Sequence, residues 1–252
     1  MNQIYRETSL VIAAAGLGTR MGPDYPPKAL VHFKDKALID WVMSSFNEKI
    51  KNVIVVIREE HKELFMQHFL KYRPLNILFT YQNIASGTAY AVQSALKEVD
   101  TEYTLVAWGD HIGASKFPTE DFFAYFESNR PDFLLPMVFR RSPYVYFERS
   151  PRTNFLEFYE TRRGARRLDY GFSDCGVFLF KSARVKEFLD SKLLINAKEQ
   201  TLDLNFLTLF ASMQESGITF SEKQYNDVAL TYGVNSRQEL HHLQEFFQGS
   251  ND

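Results

Sequence analysis

The sequence predicts an α/β fold in which helices cover both faces of a mostly parallel central sheet, as a three-layer sandwich. A short apolar run over residues 9–15 ends at Gly16, which is typical of a fully buried strand that enters a glycine loop. Similar apolar runs alternate with segments of helical period along the chain, and this alternation favours a parallel sheet. The 252 residues, 45% of them hydrophobic, are enough to fill the core of such a sandwich.

The individual elements follow from apolar periodicity and from helix-start signals. Leu38, Trp41, Val42 and Phe46 recur at helical spacing, whereas residues 53–57 form a continuous apolar run that indicates a buried strand. Strands are predicted over residues 9–15, 53–57, 77–81, 104–108, 132–139 and 175–180. Helices are predicted over residues 38–46, 60–69, 201–215 and 237–247, and two more helices are predicted to begin after residue 88 and at residue 118.

The middle of the chain has a different character. Residues 140–170 are rich in Arg, Tyr and Phe without a clean period, which predicts a hairpin-bearing insertion over the carboxyl edge of the sheet. No internal repeat or linker interrupts the sequence, so we expect a single domain over residues 1–252.

Charge and cysteine content exclude several classes of partner. The 29 basic and 31 acidic residues give a formal charge of -2, so no global positive field attracts nucleic acid or an anionic membrane.

The apolar run at residues 10–15 is too short to span a bilayer and lacks the flanks of a signal peptide. Cys175 is the only cysteine, which suits a reducing compartment, and we expect a cytoplasmic protein without nucleic-acid or membrane partners.

The first strand leads directly into a phosphate-binding type of loop. The sequence Gly16-Leu17-Gly18-Thr19-Arg20-Met21 follows it, and Lys28 comes after the turn at Pro26-Pro27. Glycines let backbone N–H groups approach phosphate oxygens, and the two cations add positive charge. A dinucleotide fingerprint would need glycine in place of Met21, and a Walker loop would need Ser or Thr in place of Ala29, so neither template fits.

These residues resemble the signature of the sugar-phosphate nucleotidyltransferases, which spans residues 10–30 here (LVIAAAGLGTRMGPDYPPKAL). The resemblance implies a Rossmann-like nucleotide-diphospho-sugar transferase fold with a small β-rich insertion over the sugar site. It also implies a nucleotide-binding half at residues 1–139 and a sugar-binding half at 140–252. The motifs are most similar to the pyrophosphorylase domain of the UDP-N-acetylglucosamine pyrophosphorylase branch, and we expect no appended hexapeptide-repeat domain.

The resemblance assigns roles on the nucleotide side. The segment from Gln82 to Thr88 is similar to the family's base-reading segment, which favours UTP, dTTP or CTP; a polar strand end at Gln82 and a helix cap at Gly87-Thr88 are the structural alternative. Arg20, Lys28 and Asp110 are the implied catalytic residues. The implied nucleotide-binding residues are Ala14, Ala15, Gly16, Gly18, Thr19, Gln82, Gly87 and Thr88.

A magnesium site is implied where the strand at residues 104–108 ends. Gly109-Asp110 resembles the family's metal motif, and a carboxylate oxygen suits Mg²⁺; a turn-capping aspartate is the alternative. His111 is expected to line the pocket rather than to bind the metal. Asn235 resembles the second metal ligand of the family but also suits a helix N-cap, and Asp227 is a competing candidate.

The sugar side resembles the family less closely. Glu160, Arg162, Asp174 and Gly176 are the implied sugar-binding residues, although Asp174 stands where relatives often have asparagine. At least two of Arg163, Arg166 and Arg167 are expected to form only a solvated basic face. Tyr146-Phe147-Glu148 replaces a glycine-containing stretch, which predicts a bulkier wall in the sugar pocket and argues against an ordinary N-acetylhexosamine.

The implied reaction joins a sugar 1-phosphate to a pyrimidine nucleoside triphosphate with Mg²⁺ as cofactor and releases pyrophosphate. The attacking phosphate oxygen is already anionic, so the chain needs no general base. Two other functions remain open at this point: a cytidylyltransferase for an alcohol phosphate such as phosphocholine, and a non-catalytic nucleotide- or sugar-binding regulatory homologue.

Overall fold

The computed structural model describes residues 3–22, 25–46, 50, 52–73, 75–83, 87–198 and 204–248. Within them no helix combines the length and the apolarity that crossing a membrane requires. The strands are β1 (Thr8–Ala13), β2 (His32–Phe33), β3 (Lys36–Ala37), β4 (Asn52–Ile57), β5 (Asn76–Tyr81), β6 (Tyr103–Trp108), β7 (Phe133–Arg141), β8 (Val145–Arg149), β9 (Leu156–Glu160), β10 (Tyr170–Asp174), β11 (Val177–Lys181) and β12 (Phe220–Tyr225). The α-helices are α1 (Gln3–Arg6), α2 (Leu38–Phe46), α3 (Lys62–Phe69), α4 (Thr88–Leu96), α5 (Thr119–Asn129), α6 (Ser182–Lys198), α7 (Phe210–Glu215) and α8 (Arg237–Gln248).

Ten of these strands form one mixed sheet in the order β5-β4-β1-β6-β11-β7-β10-β8-β9, with β12 paired to β7. Strands β5, β4, β1 and β6 are mutually parallel. The next strand, β11, is antiparallel to both β6 and β7, so β6 and β7 run in the same direction. The carboxyl ends of β1, β6 and β7 therefore lie at one edge of the sheet, where open α/β sheets place their ligands.

Burial alternates along the central strands, so each strand contributes to two cores. Leu10 and Ile12 pack with α2, α3 and α5 on one face, whereas Val11 packs with α4, α6 and α7 on the other. Continuous apolar runs result because both faces of these strands are covered. The predicted three-layer α/β sandwich is confirmed.

Most elements that were predicted from continuous apolar runs are present, and the predicted hairpin is formed by β8 and β9. This hairpin continues the central sheet through β10. The helix predicted over residues 201–215 is shorter: residues 201–203 lie outside the described residues, a 3₁₀ turn covers Phe206–Leu209, and only Phe210–Glu215 is α-helical. Asn205 explains the difference, since its side chain caps the turn by accepting from the Leu207 N–H at 3.0 Å.

A buried carboxylate joins helices α2 and α3. Asp40 is 5% exposed and accepts hydrogen bonds from His68 Nε2, Lys71 Nζ and the Tyr72 hydroxyl, each at 2.7 Å. It also accepts from the Ala37 N–H at 3.1 Å. Burial alone would raise the pKa of Asp40, but the hydrogen bonds to its charged form hold that pKa well below the usual range.

Candidate active site

A large cavity of about 660 Å³ opens at the carboxyl edge of the sheet, a size typical of small-molecule sites. Almost all of the predicted site residues line it, although they come from widely separated parts of the chain. On the predicted nucleotide side these are Ala14, Ala15, Gly16, Gly18, Thr19, Arg20, Lys28, Gln82, Gly87, Thr88 and Asp110. On the predicted sugar side they are Glu160, Arg162, Asp174 and Asn235.

The glycine loop after β1 presents free backbone donors to the cavity. In the described part of the chain, the N–H groups from Gly16 to Thr19 meet no backbone carbonyl, whereas the Ala14 N–H donates to Val56 at 2.8 Å and the Met21 N–H donates to Gly18 at 2.7 Å. Arg20 lies exposed on the same loop. Free amides beside a cation form a site for a polyanion.

Lys28 and Asp110 form the central ion pair of the cavity. The Lys28 ammonium donates to Asp110 Oδ2 in a very close contact, and both side chains are about one-fifth exposed, at 20% and 18%. Backbone hydrogen bonds hold Asp110 in place: the Gly109 N–H donates to Ala13 at 3.1 Å, and the Val234 N–H donates to the Asp110 carbonyl at 3.0 Å. The pair thus stands where β1, β6 and the segment before α8 meet.

His111 belongs to the cavity wall. Its Nε2 lies 2.7 Å from the Leu230 carbonyl oxygen, which fixes the ring. Gly176 packs behind this ring and does not line the cavity. It has a φ of +65°, and a Cβ at this position would lie 2.5 Å from His111 Nδ1. The sugar-binding role implied for Gly176 therefore has no support from its position, which instead explains why no side chain fits there.

The two candidates for the second metal ligand occupy different places. Asn235 lines the cavity, its Nδ2 donates to the Tyr144 hydroxyl at 3.2 Å, and its side-chain oxygen has no partner among the described residues. It does not cap α8, because Ser236 accepts from the Glu239 N–H at 3.2 Å. Asp227 is exposed outside the cavity wall and accepts from the Ala229 N–H at 2.9 Å as the cap of a 3₁₀ turn.

The proposed base-reading segment is described at its two ends, while residues 84–86 lie outside the described residues. Gln82 Nε2 donates to the Gly87 carbonyl at 2.9 Å, so these two residues meet at the cavity. Gly87 has a φ of +89°, and a Cβ there would lie 2.3 Å from the Leu204 carbonyl oxygen. The Thr88 hydroxyl accepts from the Phe206 N–H at 2.8 Å, so part of its role is to hold the wall.

The opposite end of the cavity is rich in arginine, and two of these arginines are paired. Arg162 donates to Glu239 Oε1 at 2.8 Å and lies 4.6 Å above the Tyr144 ring. Arg163 Nε lies 3.1 Å from Glu160 Oε2 and also lines the cavity. Arg166 and Arg167 are exposed and lie outside this wall, as expected for a solvated face.

Asp174 is a carboxylate in a desolvated part of the cavity. Burial raises its pKa, while His111 and the hydrogen bond from the Gly176 N–H at 2.8 Å oppose the rise. Burial also raises the pKa of Tyr144 to about 12, with a further contribution from the negative charge of Asp174. Both groups line the cavity.

The bulky wall predicted at Tyr146-Phe147-Glu148 is not formed by these residues, because none of the three lines the cavity. Tyr146 and Phe147 are 1% and 3% exposed and belong to the interior, because β8 alternates its side chains between faces and Tyr146 stacks on Tyr159. Tyr144 and Val145 line the cavity instead.

Sequence reasoning also missed several polar residues of the wall. Arg140, Tyr144, Ser173, Asn205 and Thr231 belong to no motif, and only the tertiary fold brings them to the cavity. Arg140 follows a strand that was predicted to end near Phe139, and its position at the carboxyl end of that strand was the available signal.

Comparison with known proteins agrees with this geometry. A family model described as the MobA-like NTP transferase domain matches residues 10–173. The Bifunctional protein GlmU of Thermodesulfovibrio yellowstonii is 34% identical over 140 residues, which are 54% of this chain and 29% of that protein. GlmU of Francisella tularensis subsp. novicida is 38% identical over 102 residues, or 40% and 22% of the two chains. The chain thus spans under a third of the length of these relatives.

Solved structures share the fold over nearly the whole chain. A putative glucose-1-phosphate thymidylyltransferase from Bacillus anthracis superimposes with a TM-score of 0.74 at 15% identity and covers 97% of both chains. The inositol-1-phosphate CTP transferase from T. maritima gives a TM-score of 0.71 at 16% identity, with 97% and 96% covered. HddC from Yersinia pseudotuberculosis gives 0.67 at 16% identity, with 95% and 99% covered. At these identities the likeness shows the fold alone.

Proposed function

Because the chain belongs to the MobA-like NTP transferase family, whose model matches residues 10–173, we propose that it transfers a nucleotidyl group from a pyrimidine nucleoside triphosphate to a sugar 1-phosphate. The products are a nucleoside diphosphate sugar and pyrophosphate. One observation carries the proposal: a single cavity holds a loop of free amides, the Lys28–Asp110 pair and, at its other end, a group of arginines. A triphosphate and a phosphorylated acceptor are both anions, and both need such donors.

The reaction is an in-line displacement at phosphorus. A non-bridging oxygen of the sugar 1-phosphate forms a bond to the α-phosphorus, and the bond from that phosphorus to the oxygen of the β-phosphate breaks. Pyrophosphate leaves with the electron pair, and no proton has to be removed from the attacking oxygen. Alignment and neutralisation of charge by Arg20, Lys28 and the loop amides then carry the catalysis.

The chemistry of the donors at Asp110 and Asn235 fits Mg²⁺. Both offer oxygen atoms, which Mg²⁺ prefers, and Mg²⁺ sites on nucleotides use few protein ligands together with water and phosphate. Among the described residues no three of His, Cys, Asp and Glu form a metal-binding group. Asp110 would be the carboxylate ligand, and the side-chain oxygen of Asn235 would be a second donor from the same cavity wall. A bound Mg²⁺ would neutralise charge on phosphate oxygens. Lys28 would then release Asp110 and bind phosphate.

The choice of a pyrimidine rests on Gln82 and Gly87. Their side-chain amide and backbone carbonyl meet at the cavity, so together they offer donors and acceptors to the edge of a base. The names of solved neighbours include a putative glucose-1-phosphate thymidylyltransferase and an inositol-1-phosphate CTP transferase. We extend the proposal to the two halves of the domain, with residues 1–139 mainly binding the nucleotide and 140–252 mainly binding the acceptor.

The test is a pyrophosphate-release screen with Mg²⁺. CTP, UTP, dTTP, ATP and GTP are each combined with a panel of sugar 1-phosphates and with phosphocholine. We expect release with a pyrimidine nucleotide and at least one sugar 1-phosphate. Release with phosphocholine alone would support a cytidylyltransferase for an alcohol phosphate. Nucleotide binding without release from any combination would support a non-catalytic homologue.

A further inference from the structure

Arg140 is a charged residue of the cavity wall that no sequence motif includes. It lies near the carboxyl end of β7, and its Nη1 donates to the Thr231 hydroxyl oxygen at 2.7 Å. Its Nε is buried and has no hydrogen-bond partner in the described structure. Buried N–H groups of a guanidinium are costly to leave unpaired, so their presence at a cavity points to a partner that the ligand supplies.

The other cations of the wall differ from Arg140 in this respect. Lys28 pairs with Asp110, Arg162 with Glu239, and Arg163 with Glu160. Arg20 lies exposed on the glycine loop, where water solvates it. Within the described residues, Arg140 lies away from the glycine loop, has a buried N–H donor without a partner and forms no ion pair.

The sheet register gives the distance of Arg140 from the reaction centre. Leu179 of β11 pairs with both Leu105 of β6 and Leu134 of β7, so these two leucines are level and about 10 Å apart, which is two strand spacings. Asp110 and Arg140 follow them by five and six residues and emerge at the same edge of the sheet. Arg140 is therefore on the order of 10 Å from Asp110.

The direction from Asp110 to Arg140 indicates which part of the substrates Arg140 can reach. The glycine loop follows β1, which neighbours β6 on the side opposite to β11 and β7. A triphosphate bound by that loop would therefore lie on the side of Asp110 that is remote from Arg140. A hexose whose 1-phosphate lies near Lys28 and Asp110 would instead extend toward Arg140 with the far end of its ring.

We propose that Arg140 binds a second anionic group of the acceptor, a carboxylate or a phosphate at the end of the sugar remote from its 1-phosphate. Thr231 holds Nη1. A two-pronged contact with such a group would use the edge formed by Nε and Nη2, and it requires the buried Nε to turn toward the cavity when the ligand binds. This proposal rests on the proposed function and narrows its acceptor to an acidic or doubly phosphorylated sugar 1-phosphate.

A purely structural role for Arg140 makes a different prediction. If Arg140 only holds Thr231 and the 3₁₀ turn Val228–Thr231, its removal would lower stability and would affect every acceptor by the same factor. Acceptor pairs that differ in a single group separate the two roles.

The experiment measures kcat/KM for pyrophosphate release with matched pairs: glucose 1-phosphate against glucuronic acid 1-phosphate, and galactose 1-phosphate against galacturonic acid 1-phosphate. Glucose 1,6-bisphosphate is the acceptor that carries a second phosphate, and it is also compared with glucose 1-phosphate. In the wild type we expect the anionic member to be preferred by about 10-fold or more, as for other desolvated charge pairs. The comparison with the larger preference shows whether the anionic group that Arg140 binds is a carboxylate or a phosphate.

Variants connect the preference to this side chain. Arg140→Met should reduce the ratio to near one by raising KM for the anionic member, while Arg140→Lys should keep part of the preference. Arg141→Met is the matched control, because Arg141 is the next residue on β7, points to the other face and is exposed. Circular dichroism and thermal unfolding check that each variant is folded.

Several outcomes would overturn the proposal. A wild-type ratio near one in every pair, or an Arg140→Met variant that slows all acceptors equally, refutes it and leaves the proposed function intact. If no acceptor releases pyrophosphate, the proposed function fails. Calorimetric binding of glucuronic acid 1-phosphate and glucose 1-phosphate to the wild type and to Arg140→Met then still decides whether Arg140 binds the anion.

Discussion

Replacing Lys28 by Met would test the centre of the proposed mechanism. The change keeps most of the unbranched side chain and removes its charge, so it tests electrostatics with little change in packing. Lys28 stands beside Asp110 at the carboxyl edge of β6 and next to the free amides of the glycine loop. In the proposed reaction it faces the charge that develops on the departing pyrophosphate.

The expected magnitude has a catalytic and a structural part. Removing one preorganised donor from a catalytic site typically lowers kcat by about 10²–10³, or roughly 3–4 kcal/mol of transition-state stabilisation. The ion pair is about one-fifth exposed, so its loss should lower stability by more than the roughly 0.2–1 kcal/mol of an exposed pair and by less than the roughly 3–5 kcal/mol of a buried one.

The assay combines initial rates of pyrophosphate release at saturating substrates with thermal unfolding. Lys62→Met is the control, since Lys62 is exposed on α3, outside the cavity. The double variant Lys28→Met/Asp110→Asn, compared with Asp110→Asn alone at saturating Mg²⁺, tests whether Lys28 merely neutralises Asp110: in that case Lys28→Met causes no further loss once Asp110 is replaced. A folded Lys28→Met variant with turnover within twofold of the wild type would refute the reasoning.

Three further predictions concern single side chains. Asp110→Asn should raise the Mg²⁺ concentration needed for half-maximal activity without changing the fold, and an unchanged metal titration would contradict its role as a ligand. Gln82→Ala should relax the preference among nucleoside triphosphates more than it slows the preferred reaction; a constant nucleotide profile would place base recognition elsewhere. Asp40→Asn should lower the free energy of unfolding at pH 7 by about 1–3 kcal/mol. Because the pKa of Asp40 in the folded protein is held below its unfolded value, the extra stability of the wild type over Asp40→Asn should disappear as the pH falls below about 4. If the free energy of unfolding in urea had the same pH dependence in the wild type and in Asp40→Asn, this role of Asp40 would be refuted.

The elements that sequence alone predicted are those with one strong local signal. Strands β4 and β6 are covered on both faces, so their apolar residues run without interruption and their type is unambiguous. Strand β12 was missed because it is only partly covered and carries polar residues at most positions. Helix α6 was also missed, although Val185, Phe188 and Leu189 have the spacing of a buried helical face.

The residues of the candidate site also fall into those with a local sequence signal and those without one. Motif residues such as Gly18 and Asp110 closely follow the ends of β1 and β6, and the carboxyl edge of a parallel sheet brings strand ends together. Arg140, Asn205 and Thr231 reach the cavity only through the pairing of β7 and the packing of later segments. No local pattern specifies such contacts, because they depend on register between distant strands.

The start of α8 shows how far the geometry of the phosphate loop depends on distant residues. Arg237 Nε donates to the Met21 carbonyl oxygen, and its guanidinium lies 4.3 Å from the centre of the Tyr25 ring. Two residues later, Glu239 accepts from the Asn235 N–H at 2.7 Å and from Arg162 at 2.8 Å. One helical turn therefore contacts the glycine-loop segment on one side and the arginine-rich end of the cavity on the other. Because the same turn contacts both sides, we expect a substitution at Arg237 to affect the glycine loop and a substitution at Glu239 to affect the arginine-rich end of the cavity.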